Sequence, residues 1–452
     1  MPVRLIDSLA STEPLAELFA DNSILRAMLD FEVALARVEA RLGVIPRAAA
    51  ETIAAAAEPG RFDTAELSRK ALRAGTPSIP FVKMLRQIVA ATDETAAGFV
   101  HWGATSQDVS DTALIILLKR AQPLIEADLS RIDHALRIFS ETHKNTVMLG
   151  RTILQAAPPI TLGLKAAGWL AAIRRGREQL SRAFAEALVI QFGGAVGTLA
   201  AFGRQGMDVA REVAAELRLG FPDAPWHTHR DRLAGLVCAS AIVTGSLGKM
   251  ARDISLLMQN EVGEAVEPQS EDRGGSSTMP HKRNPTGCAI TLAAANQMSG
   301  LVASYLSAML QEHERAVGAS QSEWPTVAAA MQATASAAAS IAEISEGLTV
   351  DLDRVRKNLN ATHGAIYAEK ATILLAASLG HDKAHRLVEQ AAKRAVMENR
   401  QLAEVLGENP DVLQCLGKTD LKRLSVAEDY LGSAEIFRQR LLQNRHPAPE
   451  KG

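Results

Sequence analysis

Residues 236–257 read LVCASAIVTGSLGKMARDISLL, and their spacing is that of a long buried helix. Leu236, Ser240, Val243, Leu247, Met250, Ile254 and Leu257 recur in steps of four and three. That period belongs to a long helix buried along one stripe, not to a strand, whose side chains alternate. Ile125, Leu129, Ile132, Leu136 and Phe139 repeat it. Segments 162–187, 290–310 and 327–344 read the same way. Ile24 to Leu42 is an amphipathic helix closed by Gly43 and Pro46. No sustained period-2 run exists, so strands are at most short edge hairpins. The expected class is all-α.

Composition agrees. The chain has 452 residues, 47% hydrophobic, 22% charged and 4% aromatic. Alanine is abundant, which suits helix-on-helix packing. At ~150 residues per domain the length allows roughly three domains. The pattern divides them as a long-helix bundle over residues 112–350, an N-terminal region over residues 1–111 and a C-terminal region over residues 351–452. The outer regions read as shorter helices, broken by Pro46, Pro59, Pro77 and Pro80 and by Gly364, Gly380, Gly407 and Pro410. Long apolar helices of this kind call for partners, so an oligomer is expected. A monomeric helical array is the plain alternative.

Lys+Arg 49 against Asp+Glu 51 gives a net charge of −2, which excludes a bulk-charge binder of nucleic acid. A local anion site remains open. Cys238, Cys288 and Cys415 lie far apart with no CxxC spacing. That pattern builds neither a disulfide framework nor a zinc site, and reads as reduced thiols in a cytoplasmic protein. The N-terminus MPVRLIDSLASTEPLAELFAD has no apolar core of a signal peptide. No unbroken apolar run reaches 18 residues, so no membrane span is expected.

One segment does not belong to a bundle. Residues 263–287, GEAVEPQSEDRGGSSTMPHKRNPTG, form a connector far longer than the usual 2–8 residues between bundle helices. Gly274 and Gly275 let backbone N–H groups converge on an anion. Ser276 and Ser277 bring hydroxyls, Lys282 a compact charge, and Asn284 an amide. A merely solvated linker would need none of them.

The stretch Gly275-Ser276-Ser277-Thr278-Met279-Pro280-His281-Lys282-Arg283-Asn284-Pro285 resembles the GSSxMPxKxNP signature of the fumarase/aspartase superfamily. Two further segments match in order: His101-Trp102-Gly103-Ala104-Thr105-Ser106-Gln107-Asp108 and Gly150-Arg151-Thr152-Ile153-Leu154-Gln155. The resemblance covers the whole chain. It implies a central helical bundle between two smaller helical domains, a homotetramer with sites shared between subunits, and no metal, flavin or nucleotide cofactor.

Two branches compete. Adenylosuccinate lyases share VHxGxTSxDxxDTA and MPHKRNP, but usually carry a histidine after GRT, where Ile153 stands. They also tend to carry an Arg-Tyr pair near the N-terminus, absent here. The 3-carboxy-cis,cis-muconate cycloisomerase branch is similar at Ser78-Ile79-Pro80-Phe81-Val82-Lys83, at Pro225-Trp226-His227-Thr228-His229-Arg230-Asp231-Arg232, and at Gln311-Glu312-His313-Glu314-Arg315. Some of its members place tryptophan at the Ile153 position, so this chain departs from both. The cycloisomerase is the preferred reading.

That resemblance implies a small polycarboxylate substrate and a lactone product, with no nucleic-acid or membrane partner. Ser276 becomes the proton-transfer residue. A serine needs neighbouring N–H groups and positive charge for this, which the glycine pair and Lys282 supply. Lys282 and Asn284 hold the carboxylate whose charge grows. Thr105, Ser106 and Ser277 bind substrate oxygens. Arg151 is a bidentate carboxylate contact. Gln155, four residues on, is a further contact, or else an amide bonded inside the bundle. Arg315 clamps another carboxylate. His101 is either a catalytic acid or a satisfied structural histidine. Asp111 or Ser110 could equally cap the following helix, so neither is carried over as a site residue. His227 and His229 lack metal-like spacing and are placed at a bundle end. The competing functions are a fumarate-releasing lyase and a non-catalytic scaffold.

Overall fold

The computed structural model describes residues 7–269, 274–275, 278–279 and 282–443. The described chain is all-α, with one short antiparallel hairpin and one antiparallel pair of two-residue strands distant in sequence. The stripe from Leu236 lies on a helix spanning Asp231–Leu257, and Leu236, Ser240, Val243, Leu247, Met250 and Ile254 are each buried. Ser240 is tolerated in it because its hydroxyl donates back to Leu236 O at 2.8 Å.

The seam from Ile125 sits on a longer helix than its spacing suggests, Ser106–Thr142. It continues upstream through Pro123, which removes one backbone bond at a cost of about 3 kcal/mol. Val109, Leu114, Leu117, Leu118, Ile125 and Leu129 offset that, since all are buried and each contributes about 1.5–3 kcal/mol. The other seams become helices Leu162–Ala187, Thr286–Ser307 and Ala319–Gly347. Thr161 starts the first of these, its Oγ1 accepting Leu164 N–H at 3.1 Å. Helices Asp231–Leu257 and Ala319–Gly347 are long and apolar enough to cross a membrane, though no unbroken 18-residue apolar run is present. Most of each is buried within the fold, as in a core helix.

By contact the chain divides into two compact units. The first comprises Met1–Ser130, Arg175–Gly248 and Ile290–Ser340. In it, helix Asp21–Arg41 turns Leu25, Met28, Phe31, Leu35 and Val38 into the core and packs on helices Arg47–Ala56 and Gly206–Glu216. Asp63 and Asp93 cap short helices by accepting Glu66 N–H and Ala96 N–H.

The second unit comprises Arg131–Arg174, Lys249–Ala289 and Ile341–Gly452. Its strands Val147–Thr152 and Gln155–Thr161 form a hairpin that packs against helix Leu352–Asn360. Val147, Leu149, Leu359, Ile366 and Tyr367 make the apolar cluster beneath it. Helices Ala368–Leu379 and His381–Met397 build a second cluster with Leu375, Val388, Leu402 and Leu406.

Candidate active site

The segment from His101 to Ser106 makes two left-handed turns before its helix, at His101 (φ 62°) and Gly103 (φ 65°). A Cβ on Gly103 would collide with the Phe202 ring, so only glycine fits. Thr105 is the cap of the Ser106–Thr142 helix. Its own N–H donates to Asp108 Oδ2 at 3.0 Å, half of a capping box.

Asp108 is fully buried and does more than cap. It also accepts Gly193 N–H at 3.0 Å, Gly194 N–H at 2.9 Å and Gln191 Nε2 at 3.1 Å, and lies 3.0 Å from His227 Nε2. This fixes the backbone of the Thr-Ser pair and leaves both hydroxyls for other work. Arg315 takes them up, Nη1 donating to Thr105 Oγ1 at 2.6 Å and Nη2 to Ser106 Oγ at 3.1 Å. Three residues expected to bind substrate thus meet, although 210 positions separate Thr105 from Arg315. A hydroxyl that accepts from a guanidinium still has its own proton to give a carboxylate. The cavity beside them holds about 360 Å³ and is lined by Ser106, Gln107, Asp111, Arg315, Gln321 and Trp324.

Ser110 and Asp111 are not caps, because the helix starts at Ser106. Ser110 Oγ lies 2.6 Å from the buried Ser78 Oγ. Asp111 accepts Arg230 Nη1 at 2.8 Å and Nη2 at 2.9 Å. Glu323 grips the same guanidinium, at 2.8 Å from Nε and through Nη2, and accepts Gln311 Nε2 at 2.5 Å. Arg230 is buried and stacks 4.7 Å over Trp226. Burial holds the Glu323 carboxyl above its ordinary value, against the opposing pull of Arg230. Two acids on one cation leave an excess acid beneath the cavity.

His101 is turned to Glu32, Nδ1 lying 2.6 Å from Oε1. Burial works against its charge, but Glu32, by charge and hydrogen bond, and Asp108 outweigh it and raise the pKa. Glu39 follows Glu32 on helix Asp21–Arg41. It is buried, neither carboxyl oxygen has a partner, and burial together with Glu32 pushes its pKa up to about 9. Of the paired histidines, His227 is buried on Asp108 and His229 is exposed.

In the second unit Arg151 is already engaged. Its Nη1 and Nη2 donate to Glu264 Oε2 at 2.9 Å and Oε1 at 2.6 Å, and the buried Glu264 also accepts Asn358 Nδ2 at 2.8 Å. Gln155 is not on a helix. It is an exposed strand residue opposite Thr152, at the base of a two-residue turn. Period-2 geometry puts it on the opposite face from Arg151's partner Ala156. The turn is Ile153-Leu154, both left-handed (φ 51° and 63°), with Ile153 95% exposed. The primed turn that matches hairpin twist explains the angles, though Asn-Gly would adopt them more cheaply.

Ser276 and Ser277 lie outside the described residues, as do Pro280 and His281. Around them Gly274 is left-handed (φ 77°), and Asn284 N–H donates to Gly274 O at 3.0 Å while its Nδ2 donates to Gly275 O at 3.3 Å. Lys282 is exposed. The buried Glu267 accepts Gly287 N–H at 3.0 Å and Cys288 N–H at 2.8 Å, filling the N-terminus of the next helix. Asp108, Glu264, Glu267 and Glu323 carry no individual signal in the sequence beyond Asp108's place in the Thr-Ser segment.

Residues 9–300 match the sequence family described as "Lyase", and 364–441 match "Adenylosuccinate lyase C-terminus". The chain is 48% identical over 424 residues to a 3-carboxy-cis,cis-muconate cycloisomerase of Bradyrhizobium diazoefficiens, covering 94% of each chain. It is 46% identical to the enzyme of that name from Pseudomonas aeruginosa, over 98% of this chain and 96% of the other. The crystal structure of 3-carboxy-cis,cis-muconate lactonizing enzyme from Pseudomonas putida superposes with a TM-score of 0.91 at 44% identity, over 97% of this chain and 98% of that one. With its helical fold, its Thr-Ser clamp and its signature loop, the chain belongs to the fumarase/aspartase superfamily, the fumarate lyases.

Proposed function

We propose that the protein is a 3-carboxy-cis,cis-muconate cycloisomerase, interconverting that diene and 4-carboxymuconolactone. The observation that carries this is the clamp of Arg315 on Thr105 and Ser106 beside a cavity fit for a small polycarboxylate. Near-full-length identity to cycloisomerases supports the substrate.

In the lactonising direction one substrate carboxylate oxygen adds to a diene carbon, forming a C–O bond. The displaced π electrons move onto the carbon α to a second carboxylate, giving an aci-carboxylate. Ser276 Oγ–H protonates that carbon, and the reverse step returns the proton to the serine. The substrate trianion and the serine proton become a lactone dianion and a serine alkoxide, which takes a proton from solvent before the next turnover. Lys282 and Asn284 hold the carboxylate on which charge develops, where a fixed donor contributes most. Thr105, Ser106, Ser277 and Arg315 bind the remaining oxygens. Arg151, tied to Glu264, orders the hairpin and offers its outer edge to substrate, with Gln155 nearby in sequence. His101, whose charged form Glu32 favours, can add positive charge near the clamp.

The same reading takes the protein as a cytoplasmic homotetramer with shared sites, and its chain as three regions spanning residues 1–111, 112–350 and 351–452. Incubation with 3-carboxy-cis,cis-muconate tests it: diene absorbance should fall as lactone forms, and Ser276→Ala should abolish this while leaving the tetramer, measured by sedimentation, intact. Unchanged absorbance with folded wild-type protein, or fumarate released from a substituted succinate instead, would overturn it.

A further inference from the structure

Lys165 lies at the start of the Leu162–Ala187 helix, in the unit that carries the signature loop. It belongs to none of the motifs above. The side chain is partly buried, and its ammonium makes no hydrogen bond or ion pair among the described residues.

Four charged neighbours act on it: Asp253, Lys249, Arg151 and Glu264. Both acids are already used. Asp253 accepts the Trp169 indole N–H at 2.7 Å and pairs with Lys249. Trp169 is one turn beyond Lys165 and shares its helix face, so the two side chains border the same space. Glu264 is held by both terminal nitrogens of Arg151 and by Asn358. Three cations therefore share two carboxylates. The surplus positive charge sits on the one member without a partner among the described residues. Burial lowers its pKa. Asp253 and Glu264 oppose this, while Lys249 and Arg151 add to it. A cation withdrawn from water with no counter-ion is unfavourable until an anion arrives.

We propose that Lys165 is a substrate-binding residue that takes one carboxylate of the polycarboxylate ligand. One carboxylate brings one negative charge, matching the surplus; a phosphate dianion would overshoot it. The compact ammonium suits a single oxygen, whereas the fork of Arg151 is committed to Glu264. This rests on the polycarboxylate reading above, so its test does not depend on turnover.

The probe is tricarballylate, a saturated tricarboxylate with no diene to cyclise, titrated by calorimetry into the intact oligomer at pH 7. Lys165→Met should weaken its binding at least tenfold without lowering the melting temperature. Lys165→Arg should restore it to within a few-fold. If Lys165→Met fails to fold, Lys165→Gln, which keeps a polar head, gives the same comparison. Wild-type affinity in a folded Lys165→Met or Lys165→Gln protein overturns the proposal, as does wild-type protein that binds no tricarballylate. Inorganic phosphate bound more tightly than tricarballylate, and lost in Lys165→Met, overturns the carboxylate assignment. Lysine-dependent tricarballylate binding by a protein that leaves the muconate unchanged would sink the reaction and keep this site.

Discussion

Arg230 and Lys165 are both cations drawn in from water, one in each unit, and their surroundings are opposite. Arg230 is clasped by Asp111 and Glu323 and backed by Trp226, so its setting holds more acid than base. Lys165 stands among cations whose acids are spent elsewhere. The first arrangement gives rigidity: Asp111 follows Ser106 on one helix, and Glu323 holds Gln311, four residues before Arg315. The clamp is thus framed from both sides by one buried guanidinium. The second gives unsatisfied charge, which favours a ligand and costs stability without one. This chain keeps the two arrangements on different elements.

Removing the guanidinium is the hardest blow to the first arrangement. Arg230→Met leaves two buried carboxylates unpaired and should cost about 3–5 kcal/mol in denaturant unfolding. A loss under ~1 kcal/mol would mean the network is wet and the contrast with Lys165 false. Arg315→Met comes next. It should lower kcat/KM at least a hundredfold, about 2.7 kcal/mol, while unfolding stays within ~0.5 kcal/mol. Equal damage to both measurements would make Arg315 a structural residue.

Glu39 is the converse case, a buried acid with no cation partner among the described residues. The folded protein keeps its proton between pH 4.5 and about 9, where the unfolded chain releases it, so stability falls as pH rises through that window. Glu39→Gln should therefore stabilise the protein by about 2–3 kcal/mol at pH 8 and change little at pH 4.5. A pH-independent difference would show that the carboxyl finds a partner.

Glu32→Gln should have the smallest effect. The pair with Glu32 raises the His101 pKa, so its stabilisation is fully present below pH 6.5 and is lost as pH rises through the folded value. The variant should lose about 1 kcal/mol at pH 6 and progressively less above it. In proton NMR its His101 should titrate lower than in wild type, because the burial remains and the counter-charge does not. An unmoved titration would detach His101 from Glu32.

The buried stripes were legible because a stripe is a property of spacing alone: every member from Leu236 to Leu257 is buried where the steps of four and three put it. The clamp was legible through its motifs, which named Thr105, Ser106 and Arg315. What spacing could not show was the acids. Asp111 looked like a cap, and Glu264 like the edge of a loop, because nothing local reveals that their partners stand 119 and 113 positions away. The Ser106–Thr142 helix runs upstream of its Ile125 seam through Pro123, a local breaker overruled by burial. The alternative of Gln155 as an amide inside the bundle rested on an interval of four, which suggests one helix face, whereas the chain turns back on itself at Ile153-Leu154.

Glu267 has a consequence for selectivity. A helix N-terminus beside a glycine-rich loop attracts almost any small anion, and phosphate or sulfate would serve as well as a substrate. Here the chain's own carboxylate occupies the amides of Gly287 and Cys288. Buffer anions therefore gain nothing from that helix, and generic attraction is switched off where the signature loop rejoins the core. Discrimination passes to side chains at fixed separations, which a single spherical ion cannot span.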